Sequence, residues 1–376
     1  MSKINSVGTV SPNVMKSKKP LTFESGKLLE DYEIIYETYG DLNATKTNAI
    51  LVCHALSGNH HVAGYHAGDE KPGWWDNMIG PNKPIDTKKF FVVSLNNIGG
   101  CHGSTGPKSI DPKTKKPYGS NFPVVTVSDW VNVQKNLMDY LKIPYWQVVV
   151  GGSLGGMQAL QWALQYPLLI KNSIVIAAAP KLTAQNIAFN EVARQAIMKD
   201  PNWHQGNYLE KNTSPEQGLA LARMLGHITY LSDESMGEKF GRDLKESKLN
   251  FGFDVEFQIE SYLRYQGEKF VSGFDANTYL LMTKALDYYD PVKDYGKKFT
   301  QRLSETSCKF LVISFTSDWR FPPERSKEIM QLLIKSKKNV SYSGIISGGG
   351  HDSFLMENDD YFQIMELFLS EIHNGI

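Results

Sequence analysis

Apolar residues along the chain fall into two recurring patterns. Short runs at 49–53, 90–95, 148–150, 173–178 and 309–315 are strand length and apolar nearly throughout, as strands buried on both faces are. Between them lie stretches with helical spacing. Residues 126–142 place Val127, Trp130, Val131, Val133, Leu137, Met138 and Leu141 on one face behind a Thr126 or Ser128 cap, and 323–336 and 353–372 also read as helices. Leu28, Tyr32, Ile34, Ile35 and Tyr36 suggest antiparallel strands before the first buried run, a further strand is expected near 340–346, and residues 1–20 read as a loose arm. Strands alternating with helices predict an α/β fold, a mostly parallel sheet flanked by helices. From 181 to 296 the pattern changes to long helical periodicities with no convincing strand. The expected organisation is therefore a core of 1–180 and 297–376 interrupted by a helical insertion, 181–296, over the carboxyl edge of the sheet, where such folds bind ligands.

The sharpest local signal is at 146–162. Val148, Val149 and Val150 run into Gly151-Gly152-Ser153-Leu154-Gly155-Gly156, after which Met157, Ala159, Leu160 and Ala163 recur at helical spacing. Strand, tight turn and helix in that order are the setting of a nucleophile elbow, in which flanking glycines are required because a Cβ would strike the neighbouring strand or helix. A dinucleotide-binding fingerprint and a phosphate-binding Gly-Lys-Ser/Thr loop are both absent from this stretch. Ser153 is thus the candidate nucleophile.

A serine of ordinary acidity needs an adjacent base held by a carboxylate. In elbow folds the chain order is serine, acid, histidine. The strand at 309–315 ends in Thr316-Ser317-Asp318, and the strand at 340–346 is followed by Gly348-Gly349-Gly350-His351-Asp352. Asp318 could instead cap a helix, and His351 could be a loop residue; found together downstream of the elbow, they complete the triad Ser153, Asp318, His351. Acyl transfer also needs two amides aimed at the developing oxyanion. One is expected from Leu154 and the other from Leu56, in the loop after the strand ending at Cys53, with His54 shaping that loop.

Composition narrows the remaining classes. Forty basic and forty acidic residues cancel, so no long-range field favours nucleic acid or an anionic membrane. The longest apolar runs are far below the ~20 residues of a spanning helix, and the first twenty residues carry four lysines without the apolar core of a signal peptide. Three widely spaced cysteines form neither a disulfide framework nor a zinc knuckle, consistent with reduced thiols and a cytoplasmic location. His60-His61 and His102 lack metal-ligand spacing, so no metal site is expected.

The motifs His54-Ala55-Leu56-Ser57-Gly58, Gly73-Trp74-Trp75-Asp76, Asn96 to Pro107, the elbow at 151–162, Ala222 to Thr229 and Gly349-Gly350-His351-Asp352 resemble the homoserine O-acyltransferases of the α/β-hydrolase fold, from about residue 20 to the C-terminus. The resemblance implies ping-pong transfer from an acyl-CoA, itself a substrate rather than a cofactor, to Ser153 and then to the hydroxyl of L-homoserine, entering methionine synthesis. It implies a homodimer formed through the insertion. By matching positions it makes Arg223 and Asp352 substrate-binding residues, which suits an amino acid bearing a carboxylate and an ammonium. The family divides between acetyl-CoA and succinyl-CoA, and an arginine at position 320 resembles the succinyl users. A buried cation there is costly unless an anion neutralises it, and succinyl carries that anion where acetyl does not. A salt bridge to Glu324 or a contact to a CoA phosphate are the alternatives for Arg320. Hydrolysis, with water as the second acceptor, shares the same triad, as would a catalytically dead binding module on the same scaffold. The large helical cover and the charged pair Arg223 and Asp352 speak against the first, and the intact Ser, Asp and His against the second.

Overall fold

The computed structural model describes residues 5–376. Its centre is an eight-stranded sheet: β1 (Asn13–Ser17), β2 (Tyr32–Tyr39), β3 (Ala49–Cys53), β4 (Phe91–Leu95), β5 (Val148–Gly152), β6 (Asn172–Ile176), β7 (Lys309–Phe315) and β8 (Val340–Ile345). They lie in the order β1-β2-β4-β3-β5-β6-β7-β8. β1 and β2 are antiparallel to their neighbours, and the rest of the sheet is parallel. β3, β5 and β6 are buried along their whole length, which explains their unbroken apolar sequence.

Helices α1 (Val127–Tyr140) and α2 (Leu154–Gln165) precede and follow β5. Of the two caps expected for α1, Thr126 is the one used: its hydroxyl accepts from the Asp129 amide at 3.2 Å while the Asp129 carboxylate accepts from the Thr126 amide at 2.9 Å, a reciprocal capping box. Between β6 and β7 the chain forms α3 (Ala184–Met198), α4 (Glu216–Tyr230), α5 (Asp233–Phe240), α6 (Gln258–Val271), α7 (Ala276–Tyr288), α8 (Pro291–Tyr295) and α9 (Lys298–Glu305). α10 (Pro323–Lys335) joins β7 to β8, and α11 (Asp359–Asn374) ends the chain.

The expected loose arm is corrected in part. Residues 13–17 pair with β2 in register Asn13 to Tyr36 and Ser17 to Tyr32, with only Met15 of the five buried. Residues 1–4 of the arm lie outside the described residues. Among the described residues, no helix is long and apolar enough to cross a membrane.

Candidate active site

The elbow forms as its residues require. Ser153 follows β5 directly and caps α2 with φ 56° and ψ −123°, a left-handed conformation that a side chain tolerates only under constraint. Its amide donates to Ile176 O at 2.9 Å, tying the turn to β6. A Cβ on Gly155 would run into the Cys53 carbonyl, and one on Gly151 into the backbone of Gly155. Glycine is therefore fixed at both positions by contact, and the serine between them absorbs the strain.

Asp318 and His351 converge on Ser153 from two other strand ends. His351, in the 3₁₀ turn Gly350–Leu355 after β8, has Nε2 2.8 Å from Ser153 Oγ and Nδ1 2.7 Å from Asp318 Oδ2. A carboxylate only accepts, so Nδ1 carries the proton and Nε2 accepts from the serine hydroxyl, the protonation pattern of a general base. The second Asp318 oxygen accepts the Phe321 amide at 2.8 Å. All three residues are buried.

Leu154 opens α2, and its amide has no carbonyl a turn earlier to bond. Leu56 lies in the turn just past β3. The buried Gln158 side chain joins these segments, donating to His54 O at 3.1 Å and Leu154 O at 3.2 Å while its oxygen accepts from Asn97 and Gln134. His54 belongs to the same scaffold. Its Nε2 accepts the Asn97 amide at 3.1 Å and its Nδ1 meets Ala55 O at 2.7 Å. Burial lowers its pKa to about 4, so the ring is neutral and shapes the loop.

Arg320 is 7% exposed. Its Nη1 donates to Thr229 Oγ1 at 2.7 Å and its Nη2 to Asn190 Oδ1 at 3.3 Å. Both acceptors are held in place: the Thr229 hydroxyl donates to Gly226 O at 2.9 Å, and Asn190 Nδ2 to Asp287 at 2.8 Å. The expected alternative of a salt bridge to Glu324 is not formed. Glu324 lies 3.9 Å from Lys327, and no carboxylate among the described residues pairs with Arg320. The hydrogen bonds of this buried guanidinium thus go only to neutral partners, with the Asp352 carboxylate within electrostatic reach, and two acceptors leave most of its five donors without a hydrogen bond.

Arg320 and Arg223 flank one aromatic ring. Tyr230, the last residue of α4, lies 5.4 Å from the Arg320 guanidinium carbon and 5.8 Å from that of Arg223, with its ring centroid 6.1 Å from that of His351. Arg223 also stacks on Phe270 at 4.6 Å, and its Nε is buried without a hydrogen bond in the chain. Burial pushes the Asp352 pKa up, aided by the nearby Asp318 carboxylate and opposed by His351, Arg223 and Arg320. Thr229 closes the Ala222 to Thr229 motif, but its role, like those of Tyr230 and Asn190, appears only once the insertion folds back on the loop after β7. Also unforeseen is a cluster in which His60, His61 and His66 surround Glu37 of β2.

The sheet order, the elbow and the Ser–His–Asp geometry define an α/β-hydrolase-fold protein. Residues 48–357 match the family model described as the alpha/beta hydrolase fold. The chain is 59% identical over 374 residues to the homoserine O-succinyltransferase of Hahella chejuensis, spanning 99% of this chain and 97% of that protein. Among solved structures it resembles esterase E22 (TM-score 0.87, 32% identity, 96% of this chain and 100% of that one). It also resembles a homoserine O-acetyltransferase from Bacillus anthracis (TM-score 0.86, 29% identity, 97% of each chain). The chain belongs to the homoserine O-acyltransferase family of the α/β-hydrolase fold.

Proposed function

We propose that the protein is a homoserine O-succinyltransferase, moving a succinyl group from succinyl-CoA to Ser153 and then to the side-chain hydroxyl of L-homoserine, a step of methionine biosynthesis. In the first half-reaction His351 takes the Ser153 proton as Oγ attacks the thioester carbonyl. The amides of Leu56 and Leu154 receive the oxyanion, and CoA leaves with the proton from His351. In the second half, His351 deprotonates the homoserine hydroxyl as its oxygen attacks the acyl-serine, and then gives that proton to the departing Ser153 Oγ. Asp318 holds the imidazole in the required tautomer throughout. Arg223 takes the homoserine carboxylate and Asp352 its ammonium.

The observation that carries the choice of donor is Arg320, a buried cation with no carboxylate partner among the described residues. A succinyl carboxylate supplies the missing charge, and acetyl does not. Transfer to water instead of homoserine finds support in the likeness to esterase E22; the pair Arg223 and Asp352 favours an amino-acid acceptor. The reading includes a homodimer formed through the helical insertion and a cytoplasmic location.

Intact-mass spectrometry tests the covalent step. After mixing with succinyl-CoA in the absence of homoserine, the wild-type chain is expected to gain the mass of one succinyl group, and Ser153→Ala to gain nothing. An adduct on the Ser153→Ala chain would move the nucleophile elsewhere.

A further inference from the structure

Glu37 points from β2 into the protein interior and is fully buried. The loop after β3 wraps three imidazoles around it. Its Oε1 faces His66 Nε2 at 2.5 Å and His60 Nε2 at 3.6 Å, while Oε2 accepts from the Tyr39 hydroxyl and from His61 Nδ1 at 3.0 Å. Bonds from His61, Tyr39 and His66 hold this carboxylate in a site without solvent exposure.

Hydrogen bonding alone leaves this cluster incompletely satisfied. His60 has a side chain 9% exposed, its Nε2 is too far from Glu37 for a hydrogen bond, and its Nδ1 has no partner. The rings are close: the His61 and His66 centroids are 3.8 Å apart and those of His60 and His66 are 6.1 Å apart.

We propose that Glu37 Oε1, His60 Nε2 and His66 Nε2 form a binding site for a divalent transition-metal ion of the zinc class. One carboxylate and two imidazoles are a known zinc donor set, and with metal–ligand bonds of about 2.0–2.1 Å neighbouring ligand atoms stand roughly 3.3 Å apart. One ligand atom from each of the three residues already lies within 4.8 Å of the other two. The 3.6 Å gap fits a shared ion as it stands, and the 2.5 Å gap opens when His66 moves its proton from Nε2 to Nδ1. That nitrogen faces Asp69 Oδ2 at 3.7 Å, the carboxylate–histidine–metal arrangement that orients ligating imidazoles. Tyr39 and His61 hold the other Glu37 oxygen in the same way. His66, with a side chain 30% exposed, supplies the entry path. A second grouping, His61, His66 and Asp69, shares His66 but centres on the half-exposed Asp69 and lacks the buried carboxylate. The ion would clamp the loop carrying Leu56 to β2, and none of its ligands bonds Ser153, Asp318 or His351. The site is thus independent of the acyl-transfer reading.

The test uses tag-free, full-length protein incubated with zinc and desalted. Wild type is expected to retain one zinc per chain, to show the intense visible bands of four-coordinate Co²⁺ on cobalt substitution, and to melt at a higher temperature with zinc than without. His60→Asn and His66→Asn should lose stoichiometric retention, and Asp69→Asn should weaken binding roughly tenfold. Should those variants fail to fold, zinc-edge X-ray absorption on wild type still reads the ligand set, and mixed imidazole and carboxylate ligation is expected. Wild type that retains no zinc, or retention unchanged by His60→Asn, would overturn the site and leave a purely hydrogen-bonded cluster.

Discussion

On the proposed reading, Arg320 is the side chain that sets the choice of acyl donor. Its guanidinium is desolvated, fixed by two neutral acceptors and flanked by Tyr230, so its remaining donors favour an incoming carboxylate. Arg320→Leu is expected to cost ~2–5 kcal/mol in succinyl transfer, read from kcat/KM, while sparing or improving acetyl transfer; equal losses for both donors would show that the arginine serves another purpose. A second residue-scale expectation concerns His54. Its folded pKa, about 4, lies below the 6.5 of an unfolded histidine, so above pH 6.5 neither state is charged and pH has no effect through this residue. As pH falls from 6.5 toward 4 the unfolded chain takes up a proton that the folded chain refuses, and stability declines. At pH 5 the loss is ~2 kcal/mol relative to pH 7, and urea unfolding of wild type against His54→Asn should show that difference shrinking in the variant. The triad was legible in the sequence because each member stands just past a strand end in the order an elbow fold demands. Thr229, Asn190 and Tyr230 were not, because their partners come from distant segments, and the Glu37 cluster escaped because a local spacing rule cannot see a carboxylate supplied by another strand.

At the level of single elements, legibility followed burial. β3, β5 and β6 are buried on both faces and announce themselves as apolar runs. β1 buries only Met15, so its sequence carries no alternation, and its pairing with β2 is all that makes it a strand. α5 has little periodicity for a related reason: of its eight residues only Phe240 is buried, and the Ser232 cap is its main local signal. The cap of α1 can be tested directly. Thr126→Ala removes the acceptor of the Asp129 amide and should lower stability by about 1 kcal/mol in chemical unfolding, with kcat for the acyl-transfer reaction unchanged. A much larger loss would mean that the buried Asp129, which also accepts the Glu24 amide at 2.9 Å, is carrying a wider network through Thr126.

Across the whole molecule, the parallel sheet brings Ser153, Asp318 and His351 together at one edge, and the helices between β6 and β7 add Arg223, Tyr230, Thr229 and Asn190 around them. On the proposed reading, those additions are what make a fold shared with esterase E22 selective for an amino-acid acceptor and a dicarboxylic acyl donor. The insertion also exposes Phe251 and Phe253 almost completely, a surface suited to the proposed homodimer contact. The central claim, succinyl transfer to homoserine, is tested most directly by the rate of CoA release from succinyl-CoA and from acetyl-CoA, each with and without L-homoserine. Release from succinyl-CoA is expected to be fast only when homoserine is present and to exceed release from acetyl-CoA. Equal rates with and without homoserine, or a preference for acetyl-CoA, would contradict it.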